Sequence, residues 1–387
     1  MKPMKRTIAV LTLLALILTL PALAAAAPQN GTVTLAQLRE QAAGGWHKTY
    51  ETKWRDVTID TQIHLPQVDA MPVSAVAIVP LQPPADAGER GWEIHSFDEG
   101  LGIRTNFNFR IDASNPEEVS RELDKLVRRG KLHYYLSAAV YRDFEDGKAY
   151  GLGSELTLWD MKRRVRQVLE AVGVEESAYD LSSPSELMAW TYVDKKTGEI
   201  LRTTFHVDFP GMLHGVPILQ EHYMEFNLSM TQDNHWWCGY INPLAETERL
   251  AQDTPLVPLE QVMQPLEEQI AAGHIRAVLD MRLGYRLYQD KAESTGDGRL
   301  TSTQYAVPMW VVNCIAVKDP NKALEITAKE REGNEDYPEE SIQRASKHYK
   351  TYVVDARTGH LYETLTDWPY KNVDDEPEYF RQEMLGK

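Results

Sequence analysis

Two periods alternate along this chain. At period two, the mark of a half-buried strand, Trp54, Val57, Ile59, Ile63 and Leu65 are apolar with polar residues mostly between them, so Trp54–Leu65 is predicted as a strand. Val73–Leu81 is a second, bounded by Pro72 and by Pro83-Pro84, and Ile103–Ile111 and Leu132–Ala139 follow. Trp190–Phe205 reads as a hairpin. Phe205–Met230 is strand-rich, with a turn marked by Gly211 and Gly215-Val216-Pro217, and Arg276–Tyr288 is a strand with alternating sides. Tyr305–Asn313 and Tyr349–Tyr362 supply the last strands, and Trp310 is expected in a core.

The period lengthens to 3.6 in four places. Thr34–Ala43 is a short helix: Thr34 caps it, Gln37 completes a capping box, and Gly44-Gly45 ends it. Asn115-Pro116-Glu117-Glu118 starts the second, with a cap, a proline in the first helical position and two acids opposing the dipole. Its apolar face is Val119, Leu123, Leu126 and Val127. Thr157 caps the third, whose stripe is Leu158, Met161, Val165, Val168, Leu169 and Val172, with Gly173 at its end. Pro258 opens the fourth, with Leu259, Val262, Leu266 and Ile270 on one face; Pro265 should kink it or delay its start. Asp143–Gly153 and Ala245–Val257 are polar and read as links, and Ala328–Glu340 as an acidic insertion.

One turn phrase occurs twice, as Asp194-Lys195-Lys196-Thr197-Gly198 and Asp355-Ala356-Arg357-Thr358-Gly359. Glycine supplies a positive φ there, and Asp or Thr bonds backbone amides, so the phrase fixes strand register. Strand runs joined by short turns, with helices between the sets, predict an α+β fold: antiparallel sheets with helices packed on one face, in two related lobes. The expected organisation is a leader at 1–27, a strand-rich α+β region at 28–150, a first lobe at 154–245, a second at 255–366 and an acidic tail at 367–387.

Composition narrows the setting. The 387 residues are 43% hydrophobic, enough for the cores of two or three domains. A formal net charge of −16 repels phosphate backbones and anionic headgroups, which argues against nucleic acid as a partner. Lys2, Lys5 and Arg6 precede the uncharged apolar run Ile8–Leu20, Pro21 and the small-x-small pattern Ala22-Leu23-Ala24. This is the pattern of a secretory signal peptide. The run is shorter than the ~20 residues a spanning helix needs, so the product is expected to be secreted or extracytoplasmic, with no transmembrane segment after signal removal. In an exported chain Cys238 and Cys314 can form one disulfide, which spacing alone does not decide.

Chemical signatures are sparse. His-Glu-x-x-His, Gly-x-Ser-x-Gly and Gly-x-x-x-x-Gly-Lys are all missing, and no catalytic residue or cofactor is assigned. His206, His214 and His222, with Glu221 and Glu225, are the best-placed ligand candidates, but no two of these histidines have helical i, i+4 spacing. They read as solvent-facing strand histidines, and no metal site is assigned. Asp290, Glu293 and Asp297, with Gly296 and Gly298, fail the EF-hand order and read as an acidic turn. Arg163, Arg164 and Arg166 read as solvated helix charges. Trp236 and Trp237, adjacent on a strand, point to opposite faces. An outward tryptophan can stack a sugar or anchor a partner, although core packing is the plainer reading of both.

Residues 255–366 resemble the PepSY-type domains and the related YycH/YycI regulators of bacterial cell envelopes. The resemblance rests on a helix beginning Leu259-Glu260-Gln261-Val262, then Val307-Pro308-Met309-Trp310-Val311-Val312, then Tyr352-Val353-Val354-Asp355-Ala356-Arg357-Thr358-Gly359-His360-Leu361. Residues 154–227 repeat it loosely, and the whole chain resembles a class of exported proteins from Gram-positive bacteria. The resemblance implies a non-catalytic module that binds a partner, either a peptidase or the outer domain of a sensor kinase. The expected function is therefore an exported non-enzymatic protein that binds or regulates another envelope or secreted protein, through residues the sequence does not assign. Two alternatives stand beside it: an exported hydrolase of cell-wall or dietary polymer with an unlocated acid pair, and a ligand-binding module using outward aromatics such as Trp236 or Trp237.

Overall fold

A computed structural model describes residues 31–52, 56–82, 84–90, 93–99, 103–111, 116–138, 146–149, 155–219, 225–231, 236–239, 241–289, 293–294, 300–301, 304–316 and 348–362. The expected leader, the acidic insertion and the tail lie outside these residues. The elements begin α1 (Leu35–Ala42), β1 (Trp46–Tyr50), β2 (Val57–Thr61), β3 (Ile63–His64), β4 (Val73–Ile78), β5 (Glu93–Glu99), β6 (Ile103–Ile111), α2 (Pro116–Arg128) and β7 (Leu132–Ala138). Then come α3 (Leu158–Val172), a 3₁₀ turn (Glu176–Ala178), β8 (Glu186–Asp194), β9 (Ile200–Phe209), β10 (Met212–Leu213), β11 (Val216–Pro217), β12 (Phe226–Thr231), β13 (Trp236–Gly239) and β14 (Leu244–Ala251). The chain ends with α4 (Leu259–Ala271), β15 (Ile275–Gln289), β16 (Glu293–Ser294), β17 (Leu300–Thr301), β18 (Gln304–Ala316), β19 (His348–Asp355) and β20 (Leu361–Tyr362).

This is an α+β fold built on two large sheets. The central sheet has the order β5-β6-β13-β12-β9-β8-β7 and is antiparallel throughout. The terminal sheet draws on both flanks of the chain, in the order β14-β4-β18-β15-β3, with β19 on β18 and β20 on β19. β3 pairs with β15 in parallel. The region expected at 28–150 is therefore divided. Its strands β3 and β4 join the terminal sheet and β5–β7 the central one, because each large sheet pairs strands distant in sequence. Ala245–Val257, expected as a link, contains strand β14 paired with β4; its residues are mostly exposed or half-buried, so it lacks the apolar side that marks a strand.

Helix α3 covers one face of the central sheet. Leu158, Met161, Val165, Val168 and Leu169 pack with Phe205, Val207, Phe209, Phe226, Leu228 and Trp236. Thr157 and Asp160 form its capping box, and Gly173 ends it at φ +71°. In the terminal core, Leu38 of α1, Val262, Leu266 and Ile270 of α4, and Trp46 and Ile59 of the β1–β2 ribbon pack with Leu283, Tyr285, Trp310 and Val354. Helix α4 runs through Pro265, and its first amide is satisfied from outside: Leu259 N–H donates to Gln41 Oε1 at 2.8 Å. Among the described residues no helix is long and apolar enough to cross a membrane.

The repeated turn has the same chemistry at both sites. Asp194 Oδ1 accepts from the amides of Lys196 and Thr197, and Asp355 Oδ1 accepts from that of Arg357. Gly198 N–H donates to the Asp194 carbonyl at 2.9 Å and Gly359 N–H to that of Asp355 at 2.8 Å, with φ +73° and +75°. Their surroundings differ. A Cβ on Gly198 meets nothing within 4 Å, whereas one on Gly359 comes 3.0 Å from Gln261 Cγ and 3.3 Å from its carbonyl oxygen. That carbonyl is the one Pro265 cannot bond, since proline has no N–H. Gly198→Ala should cost about 1 kcal/mol, the strain of a left-handed alanine. Gly359→Ala should cost about 2 kcal/mol, strain plus crowding. Urea unfolding of the two variants checks the difference; equal losses would remove the turn from the α4 contact.

Candidate binding site on the central sheet

The face of the central sheet away from α3 carries a row of polar side chains. Strand alternation places His206 and Asp208 of β9 on that face, two residues apart. Pairing brings Glu186 of β8 and Asn227 of β12 opposite Asp208, and Ser229 of β12 opposite His206. Trp237 lies opposite Ser229, so the same row continues across β13. A bulge decides this arrangement. Val193 pairs with Ile200 but Tyr192 pairs with Arg202, which leaves Leu201 as an extra residue. Without that shift Glu186 would stand opposite Val207. Helix α2 meets this face at its far edge, where Tyr192 Oη donates to Asp124 at 3.0 Å.

Hydrogen bonds join the polar side chains. His206 Nδ1 lies 2.8 Å from Ser229 Oγ, and Nε2 lies 3.2 and 3.3 Å from the two Asp208 oxygens. Asn227 Nδ2 donates to Asp208 Oδ1 at 2.7 Å. The Trp190 ring lies 6.0 Å from the imidazole. Asp208 is only 2% exposed and Glu225 4%, so these carboxylates sit away from bulk water. Burial, then the charge of Asp208, pushes the Glu186 carboxyl above its usual range. Burial works to lower the pKa of His206, but the Asp208 hydrogen bond and the charges of Asp208, Glu186 and Glu225 outweigh it and raise the pKa. One ligand atom from each of Glu186, His206 and Asp208 falls within 4.8 Å of the others.

Of the expected group, His206 takes part among the described residues and buried Glu225 acts on it through its charge. Glu221 and His222 lie outside them, as do Asp290, Asp297 and the two glycines of the acidic turn. His214 occupies a two-residue turn with Gly215, both at positive φ, and its Nε2 lies 2.9 Å from Glu246 of β14. Trp236 is buried at 1% exposure and Trp237 half-buried on the polar face, as strand alternation requires. Cys238 and Cys314 are not joined; each is buried in a different core. Arg163 pairs with Asp160 and Arg166 with Glu176, while Arg164 stacks on Trp236. Glu186 and Asp208 escape a search by helical spacing. The available signal is a His-x-Asp on a strand, plus a count back through the hairpin.

Glu246 gives a pH-dependent prediction. Burial works to raise its pKa, but donors from Arg249, Ser74 and His214 win and hold it at about 2 against a usual 4.5. A depressed acid contributes stability that is complete above its unfolded pKa and is lost as pH falls toward the folded one. Glu246→Gln should therefore cost about 1 kcal/mol at pH 7 and distinctly less at pH 3. Urea unfolding at both pH values checks it.

No family model matches the chain, and no curated protein does. The crystal structure of an uncharacterized protein from Eubacterium rectale ATCC 33656, solved at 1.45 Å, aligns over 85% of this chain and 97% of that one, at 10% identity and a TM-score of 0.48. A likeness that remote carries no argument about function.

Proposed function

We propose that this chain is an exported, non-catalytic protein that binds another envelope or secreted component through the polar face of the central sheet. The observation that carries the reading is the polar group of half-buried Glu186 and His206 with buried Asp208 and Ser229, in which His206 bonds both Ser229 and Asp208. Burying ionisable groups opposes folding unless they are well paired. An apolar face would stabilise the sheet at lower cost, so a polar one fits a role outside the fold. Half-buried Trp237, on the same row, supplies an aromatic anchor beside that network. The PepSY-like and YycI-like character of residues 154–245 and 255–366 belongs to the same proposal.

Crosslinking the full chain in the envelope of the exporting cell, followed by capture, tests it. A partner should be captured by the wild type and by Trp159→Ala, whose ring is exposed on α3. It should be lost with Trp237→Ala. Capture that is absent from the wild type, or unchanged in Trp237→Ala, would sink the reading.

A further inference from the structure

We propose that Glu186, His206 and Asp208 form a binding site for one first-row divalent cation, Zn²⁺ or Mn²⁺. The three donors are held by one hairpin: His206 and Asp208 two residues apart on β9, and Glu186 directly opposite Asp208 on β8. Their ligand atoms already lie within 4.8 Å of one another, so a cation placed among them can reach all three with small side-chain movements. One imidazole with two carboxylates suits a borderline cation better than the all-oxygen shells of Ca²⁺ and Mg²⁺.

Surrounding groups fix the donors. Ser229 Oγ lies 2.8 Å from His206 Nδ1, so in the tautomer with its proton on Nδ1 that N–H is held by Ser229, and Nε2, which otherwise bonds Asp208, is free to bind the cation. This is the outer-shell arrangement that metal-bound histidines use. Asn227 Nδ2 donates to Asp208 Oδ1 and holds that carboxylate in place. Ser229 and Asp208 are nearly fully buried, so neither is a loose surface group.

Charge favours the cation as well. Glu186 and Asp208 set two carboxylates beside one imidazole, an arrangement that a divalent ion suits. Three protein donors leave at least one coordination position open, for water or for an oxygen of a bound ligand. The assignment does not depend on a protein partner and survives if the partner-binding reading fails.

The test is titration of the chelator-stripped full chain with Zn²⁺ and separately with Mn²⁺, by calorimetry and by thermal unfolding. Expected are one ion per chain and a thermal midpoint that rises with free metal, as mass action on the native state requires. Asp208→Asn and Glu186→Gln should abolish the one-to-one binding. Ser229→Ala should weaken it by about 10–100-fold, the usual effect of losing an outer-shell partner. His214→Gln, on a histidine outside the group, should bind as the wild type does. Because the wild-type titration needs no variant to fold, absence of binding there overturns the proposal. So does unchanged binding in folded Asp208→Asn.

Discussion

Trp310→Ala should lower stability by about 3–5 kcal/mol, the range for truncating a fully buried aromatic. Trp310 is fully buried on β18, with Leu283 of β15 opposite on one side and Val354 of β19 on the other. Both neighbours are equally buried, and the ring packs in the core that α1 and α4 close. Strands fixed on both edges cannot collapse into the space, so most of the cavity should remain. Urea unfolding should show a lower midpoint at an unchanged slope, the sign of a native-state loss. Trp310→Phe separates volume from polarity. It keeps most of the ring and deletes an indole N–H that has no hydrogen-bond partner among the described residues, so its cost should stay within about 1.5 kcal/mol. A loss below about 1 kcal/mol for the alanine variant would contradict the packing at this position.

Gly284→Ala tests how the two sheets are joined. Gly284 lies within β15, where alanine is conformationally acceptable, so the substitution reports on space alone. A Cβ there comes 2.5 Å from the Pro217 carbonyl oxygen and 2.7 Å from Leu219 Cγ. The segment leaving the central sheet runs along the edge of β15 at this point: Ile218 bridges to Tyr285, and Leu219 N–H donates to the Tyr285 carbonyl at 2.9 Å. Backbone must move to admit the methyl, at a cost of about 3 kcal/mol, the upper end for overpacking. Hydrogen exchange should show the Leu219 amide losing protection while the amides of α3 keep theirs. Unchanged protection at Leu219 would show that the segment yields without undocking.

What the sequence makes legible here is local. Caps, stops and apolar stripes locate the four helices of the described residues, because each is a short-range pattern set by a few residues. Pro265 looks disqualifying in sequence, yet α4 accommodates it: the freed Gln261 carbonyl lies beside the Gly359 turn. Strand pairing is less accessible. β14 has no apolar side, and the division of β3–β7 between two sheets depends on pairings distant in sequence, such as Ile63 with Met281 and Ile111 with Trp236. The candidate site was half visible. His206 stood out as a ligand type, but its neighbours depend on strand pairing, so the expected group drew in His214, which instead meets Glu246.

The extra residue at Leu201 gives the β8–β9 hairpin a parity. Were the bulge straightened, Leu201 would take Tyr192 and Leu187 would take His206, and every later side chain of β9 would exchange faces. Phe205, Val207 and Phe209 would then leave the α3 core, each forfeiting about 1.5–3 kcal/mol of burial. The apolar back of the strand thus holds its polar front in frame. Deleting Leu201 should leave that frame intact, since Ile200 and Arg202 keep their partners. The chain can lose this residue but cannot straighten around it.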